Sequence, residues 1–183
     1  MPVYALADLV PDIHPDAYVH PDAVLIGAVT IGAESSVWPG AVLRADYGRI
    51  LVGARTSIQD GTVLHTTREW PTVVGDDCVV GHNAHLEGCT VQERCLVGSG
   101  SVVLNRVLVG ARSVVGANAL VAEGTEIPED SLVLGVPARV RPVDPDQQQK
   151  WIDFAVREYR DNARYYRDHL RLIERGASHE GAQ

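Results

Sequence analysis

The chain has 183 residues, with 24 acidic side chains against 16 basic ones, a formal charge of -8 and only 5% aromatic residues. That length suits one ordinary domain with a small appendage, and the acidic balance excludes neutralising a nucleic-acid backbone as the protein's main work. Hydrophobic residues at 45%, with 17 Gly and a single Phe, exclude a disordered chain and call for a core of Val, Leu, Ile and Ala.

The amino-terminal stretch carries Asp8, Asp12 and Asp16 with no basic leader and no apolar run, and nowhere is an apolar segment long enough to span a bilayer. A cytoplasmic protein with no membrane and no nucleic-acid partner is expected. Cys78, Cys89 and Cys95 are odd in number and lack paired CxxC spacing, which fits a reducing compartment. They read as small buried hydrophobes, with a thiolate at Cys89, nearest the histidines, as the alternative.

From residue 11 to 140 the chain repeats a short unit of β-branched residues ending in Gly. Val24-Leu25-Ile26-Gly27, Val29-Thr30-Ile31-Gly32, Ile50-Leu51-Val52-Gly53, Val79-Val80-Gly81 and Val115-Gly116 are examples, and Gly75 and Gly81 lie six apart, as do Gly110 and Gly116. Each unit predicts one short strand and one turn, with the small residue there allowing a sharp bend. Such strands cannot bury an apolar side alone, but wound into an all-β solenoid they stack into one aliphatic core too narrow for Phe or Trp.

Thr66-Thr67-Arg68-Glu69-Trp70-Pro71 breaks the rhythm and predicts a protruding loop. Trp70 before Pro71, like Trp38 before Pro39, reads either as cover for a coil edge or as a substrate contact. After Leu134-Gly135-Val136-Pro137-Ala138 the pattern stops. Asp144 as N-cap, Pro145 at the first helical position and Gln147 then predict a helix over 144–175, followed by a loose tail over 176–183. Ile152, Ala155, Val156, Tyr159, Ala163, Tyr166, Leu170 and Ile173 form its apolar stripe, to be packed on this chain's solenoid or a neighbour's.

His65, His82 and His85, with Glu87 just beyond, are the densest candidate metal site. Leu64 and Leu86 read as inward strand residues, so His65 and Glu87 point outward from equivalent positions on adjacent coils, and His85 flanks Leu86 on its other side. His82, two places after inward Val80, lies near a turn from which it reaches toward another subunit. Three such ligands with an open position suit a zinc-activated water. Gln59, beyond inward Ile58, is placed to orient that hydroxide or the substrate. Arg44, Asp46 and Asp60 lie in the preceding segments, and the Arg-x-Asp spacing puts the charges of Arg44 and Asp46 on one side of a strand, to pair within or between subunits. Glu69 on the loop is a candidate proton relay.

Leu43-Arg44-Ala45-Asp46, Ile58-Gln59-Asp60-Gly61, Leu64-His65, Gly81-His82-Asn83-Ala84-His85-Leu86-Glu87-Gly88-Cys89 and Leu134-Gly135-Val136-Pro137-Ala138 before a final helix together resemble the gamma-class carbonic anhydrase family, in its bacterial carbonic-anhydrase-like branch. The resemblance covers nearly the whole chain. It implies a left-handed parallel β-helix with a C-terminal α-helix and a homotrimer with zinc, or iron or cobalt, at subunit interfaces. It also implies His65 and His82 as ligands from different subunits, Gln59 near the bound water, Arg44 and Asp46 as an interface pair, and Tyr159 near the pocket. Where the family has its third histidine this chain has Glu87, with His85 as the competing ligand.

The expected activity is accordingly a metal-dependent lyase reaction, the reversible hydration of carbon dioxide to bicarbonate, weakened by Glu87. Two other functions compete: a coenzyme A-dependent acyltransferase or thioesterase with His82 or His85 as base, against which no basic cluster for the coenzyme's phosphates is seen, and a catalytically inactive trimeric scaffold.

Overall fold

The computed structural model describes residues 2–173. Strands mostly two or three residues long, each followed by a turn, wind into a left-handed parallel solenoid with one helix on its flank, the architecture expected from the sequence.

Parallel pairing between successive coils builds three faces. The first runs through Val3–Tyr4, the leading halves of Val24–Ile31 and Val42–Val52, then Val63–His65, His85–Glu87, Val102–Val103 and Leu120–Val121. The second uses the trailing halves of the same two long strands and continues through Thr72–Val74 and Thr90–Val91. The third stacks Tyr18–Val19, Ser36–Val37, Ser57–Ile58, Val79–Val80, Leu96–Val97 and Val114–Val115. Pairing therefore begins at Val3–Tyr4, ahead of residue 11 where the repeat becomes legible, because a two-residue strand carries no periodicity of its own. At the other end Arg139–Arg141 closes the third face as an antiparallel strand.

The interior is a column of aliphatic residues. Leu25, Leu43, Leu64, Leu86, Val103 and Val121 occupy one level of successive coils, and each is 0% exposed. Burial of each such side chain contributes roughly 1.5–3 kcal/mol. No Trp enters this column; Trp38 and Tyr18 are buried beneath the helix, which accounts for the low aromatic content.

Gly32, Gly53, Gly75 and Gly98, which follow strands, serve spacing rather than bending. A Cβ built on Gly98 would lie 2.5 Å from the backbone nitrogen of Ala117 in the next coil, yet Gly98 has an ordinary negative φ. At the corner between the second and third faces the left-handed turn positions are charged residues, Glu34, Arg55, Asp77, Arg94, Arg112 and Asp130, all with φ near +55°. Their side chains pair along the stack, as in Arg55 to Asp77 and Arg112 to Asp130, which offsets part of the backbone strain.

Beside that corner runs a ladder of small polar residues. Ser35 Oγ, Thr56 Oγ1, Cys78 Sγ, Cys95 Sγ and Ser113 Oγ each donate to a carbonyl of the adjoining coil. Ser35, Thr56 and Cys78 in turn accept from the backbone N–H of the corresponding residue one coil on. Cys78 and Cys95 are thus rungs in a hydrogen-bonded series, and all three cysteines are buried free thiols.

The helix spans Pro145–His169, with the Asp144 side chain accepting from the N–H groups of Asp146 and Gln147. It stops short of the expected end at 175, because Leu170 takes extended dihedrals. The proposed tail, 176–183, lies outside the described residues. Ile152 and Val156 pack on Val79 and Val114, and Ala163 packs with Tyr18 and Trp38, so the helix lies on the third face of its own solenoid. The rest of the expected stripe differs: Leu170 and Ile173 are exposed because they fall beyond the helical segment. No helix among the described residues is long and apolar enough to cross a membrane.

Candidate active site

Coil register divides the predicted site residues into two groups. On the first face Arg44 sits beside His65, and His65 beside Glu87, so these three form an outward rung ladder on adjacent coils. His65 Nε2 lies 3.2 Å from Asp46 Oδ1 and Nδ1 lies 3.1 Å from Glu87 Oε1. His85 Nε2 is 3.4 Å from the other Glu87 oxygen. Arg44 Nη1 donates to Asp46 within the same chain. Burial alone would raise the Asp46 carboxyl, but its own backbone N–H, the Arg44 guanidinium and the His65 ring together hold it below the ordinary carboxylate range.

In this ladder Arg44 pairs with Asp46, and the His65 ring lies between two carboxylates. Both His65 nitrogens lie within hydrogen-bond reach of a carboxylate, Nε2 of Asp46 and Nδ1 of Glu87. The ring bridges two coils and orients Asp46 and Glu87.

His82 belongs to the second group. Asp60 and His82 each stand two places after paired inward residues, Ile58 and Val80, which stacks them on adjacent coils. His82 Nδ1 donates to Asp60 Oδ2 at 2.8 Å. That bond fixes the tautomer in which Nε2 carries the lone pair. The Tyr159 hydroxyl, arriving from the helix, is 3.4 Å from that Nε2.

Tyr159 is held by the helix packing. Its ring meets Trp38 edge-on at 5.8 Å, and Trp38 Nε1 donates to Ser36 Oγ and Ser57 Oγ at 2.9 and 3.0 Å. Trp38, 5% exposed, is therefore a buried support and not a coil-edge cover. Burial, followed by the charge of Asp60, raises the Tyr159 phenol above its ordinary value, so the hydroxyl remains a donor. The arrangement of carboxylate, imidazole and phenol can accept a proton at His82 Nε2 and return it.

The remaining candidates are placed differently from expectation. Gln59 is only 3% exposed, so it does not share the open surface of the histidines. Trp70 lies under Arg106, whose guanidinium carbon is 5.4 Å from its ring, and so covers a coil edge. Glu69 is exposed on the loop. Burial pushes the Cys89 thiol up to about 12, which removes the thiolate alternative. The partnership of Asp60 with His82 was missed in the sequence, although their shared offset after Ile58 and Val80 was the signal that could have found it.

The expected ligand set does not assemble within one chain. In one chain His82 turns to Asp60 and Tyr159, while His65, Glu87 and His85 are engaged with one another and with Asp46. Among the described residues no group of three His, Cys, Asp or Glu side chains is arranged to hold a metal ion.

Known proteins point the same way. Residues 71–105 match the family model described as bacterial transferase hexapeptide (six repeats). The carnitine operon protein CaiE of Salmonella typhimurium is 43% identical over 163 residues, covering 89% of this chain and 82% of that protein. A solved Bacillus cereus structure, assigned provisionally as an acetyltransferase, superposes with a TM-score of 0.89 at 30% identity, over 91% of this chain and 96% of that one. A hexapeptide transferase family protein from Anaplasma phagocytophilum gives 0.86 at 32% identity, over 90% and 98%. With the donor geometry, these relatives overturn the expected zinc-dependent carbon dioxide hydration and the lyase assignment. The chain belongs to the family of hexapeptide-repeat, left-handed β-helix proteins that includes CaiE.

Proposed function

We propose that the protein transfers an acyl group from a coenzyme A thioester to a small acceptor, with His82 as the general base. The observation that carries this reading is the 2.8 Å bond from His82 Nδ1 to Asp60, which leaves Nε2 as the basic atom at an accessible position beside the Tyr159 hydroxyl. The acetyltransferase and hexapeptide-transferase descriptions of the two similar solved structures support it.

In the proposed reaction the acceptor's hydroxyl or amine loses a proton to Nε2 as its oxygen or nitrogen attacks the thioester carbonyl. The tetrahedral intermediate then collapses, the carbon–sulfur bond breaks, and the proton on Nε2 passes to the leaving thiolate. Asp60 keeps the imidazole oriented and stabilises its charged form. Tyr159 gives the resting lone pair a donor and is a positioning residue.

The ladder of Arg44, Asp46, His65 and Glu87 is the proposed contact surface for a homotrimer, which places His82 of each chain near a neighbouring first face. The buried free thiols suit a reducing, cytoplasmic compartment.

The test is release of free coenzyme A thiol from a panel of acyl-coenzyme A esters offered with small amines and alcohols. Acceptor-dependent release is expected for the wild type and its loss for His82→Asn. Release that is no faster than buffer across the panel, or that is unchanged in His82→Asn, refutes the reading.

A further inference from the structure

The basic cluster that was not visible in the sequence is assembled by packing of the helix on the solenoid. A pocket of about 310 Å³ between the charged corner and the helix is lined by Asp77, Arg94, Asp153, Val156, Arg157 and Arg160. Arg157 and Arg160 are three apart on the helix and share a side, while Arg94 comes from the corner.

The carboxylates there are largely spoken for. Asp77 is held by Arg55 through two bonds of 2.7 Å. Asp153 accepts from Arg94 at 3.0 Å and from Gln149 at 2.9 Å. Arg157 has no carboxylate within ion-pair distance among the described residues, and lies over the Phe154 ring at 5.8 Å. Arg160 Nε is buried without a hydrogen-bond partner, its closest carboxylate being Glu34 at 3.9 Å. Of the three guanidinium groups that line the pocket, Arg94 is paired with Asp153, Arg160 reaches only Glu34, which Arg164 also engages, and Arg157 faces no carboxylate among the described residues.

A buried guanidinium N–H without a partner is an unfavourable arrangement that a bound anion would relieve, and planar guanidinium forks match phosphate oxygens in pairs. We propose that this pocket binds a phosphoanhydride, with Arg157 and Arg160 as the principal donors and Arg94 turning to it from Asp153. Two sources carry that group: the nucleotide end of a coenzyme A thioester, and free pyrophosphate. Assignment to the coenzyme rests on the acyl-transfer reading; the anion site itself does not.

The probe is inorganic pyrophosphate, titrated calorimetrically into the wild type, Arg157→Gln, Arg160→Gln and Asp153→Asn. Gln keeps helix propensity, and none of these residues belongs to the His82 group. Saturable binding is expected in the wild type, weakened about tenfold or more by either Arg substitution. Asp153→Asn, which removes the competitor for Arg94, is expected to bind more tightly, an outcome that a merely structural role would not produce. Absence of binding at millimolar pyrophosphate, equal binding in both Arg variants and wild type, or weaker binding in Asp153→Asn overturns the proposal.

Kinetics separate the sources. If the coenzyme is the occupant, Arg157→Gln raises KM for an acyl-coenzyme A but not for the matching acyl-pantetheine, and pyrophosphate competes with the former. If free pyrophosphate is the occupant, calorimetric binding is lost in the variants with no competition. An inactive wild type that still binds pyrophosphate would remove the acyl-transfer reading and leave the anion site standing.

Discussion

Asp60→Asn probes how His82 is oriented, with little change in volume. The substitution removes the negative charge at the other end of the 2.8 Å bond to Nδ1 and lets the amide present either a donor or an acceptor. Two unit charges about 4 Å apart near a protein surface interact by about 4 kcal/mol before further screening. The Asp60 and His82 side chains are 48% and 45% exposed, so solvent reduces that substantially. About 1.4–2.8 kcal/mol of transition-state stabilisation remains, a ten- to hundredfold loss in kcat at about 1.4 kcal/mol per decade. The half-exposed setting places the effect at the low end of the range for positioned acid–base groups.

The assay is acceptor-dependent thiol release at saturating thioester, run beside thermal unfolding. The unfolding midpoint is expected to stay close to wild type, since the altered group is at the surface. KM for the thioester should change far less than kcat. A kcat within about twofold of wild type, in a protein whose His82→Asn variant is inactive, would refute Asp60 as the orienting group.

Two further predictions concern the scaffold. Gly98→Ala places a Cβ 2.5 Å from the Ala117 nitrogen of the next coil, whereas the Cβ of Gly124→Ala meets nothing nearer than Arg106 Nη2 at 3.9 Å and suffers only from its φ of +69°. Overpacking against backbone should cost Gly98→Ala about 3 kcal/mol or more, against about 1–2 kcal/mol for Gly124→Ala, a ranking that thermal unfolding checks and that equal midpoints would contradict. Cys89, pushed up to about 12 by burial, should remain unmodified by iodoacetamide at mildly alkaline pH until denaturant is added, as mass spectrometry would read; labelling of the folded protein would contradict its burial.

The solenoid was legible because each unit obeys one local rule: an aliphatic inward residue, then a small residue where coils approach. That rule correctly aligned His65 with Glu87, since both follow inward leucines. It did not show that the ring between them would be taken up by Asp46 and Glu87, because side-chain pairing depends on rotamers and on which neighbour reaches first. The family resemblance was sound for the left-handed solenoid and its helix. It erred on the carbon dioxide hydration it implied, against which the transferase-like relatives stand.

Sequence alone determined the solenoid, its aliphatic interior and the capped start of the helix, all governed by residue spacing along the chain, while the solenoid's left hand followed from the family resemblance. Tertiary structure decided where the helix lay, and with it the two arrangements most relevant to function. Packing Ile152 and Val156 on the third face brings Tyr159 to His82, from 77 residues away, and sets Arg157 and Arg160 beside Arg94. No local periodicity encodes such encounters, because they arise from the fit of an apolar helical stripe to a flat face formed only after the coils have stacked.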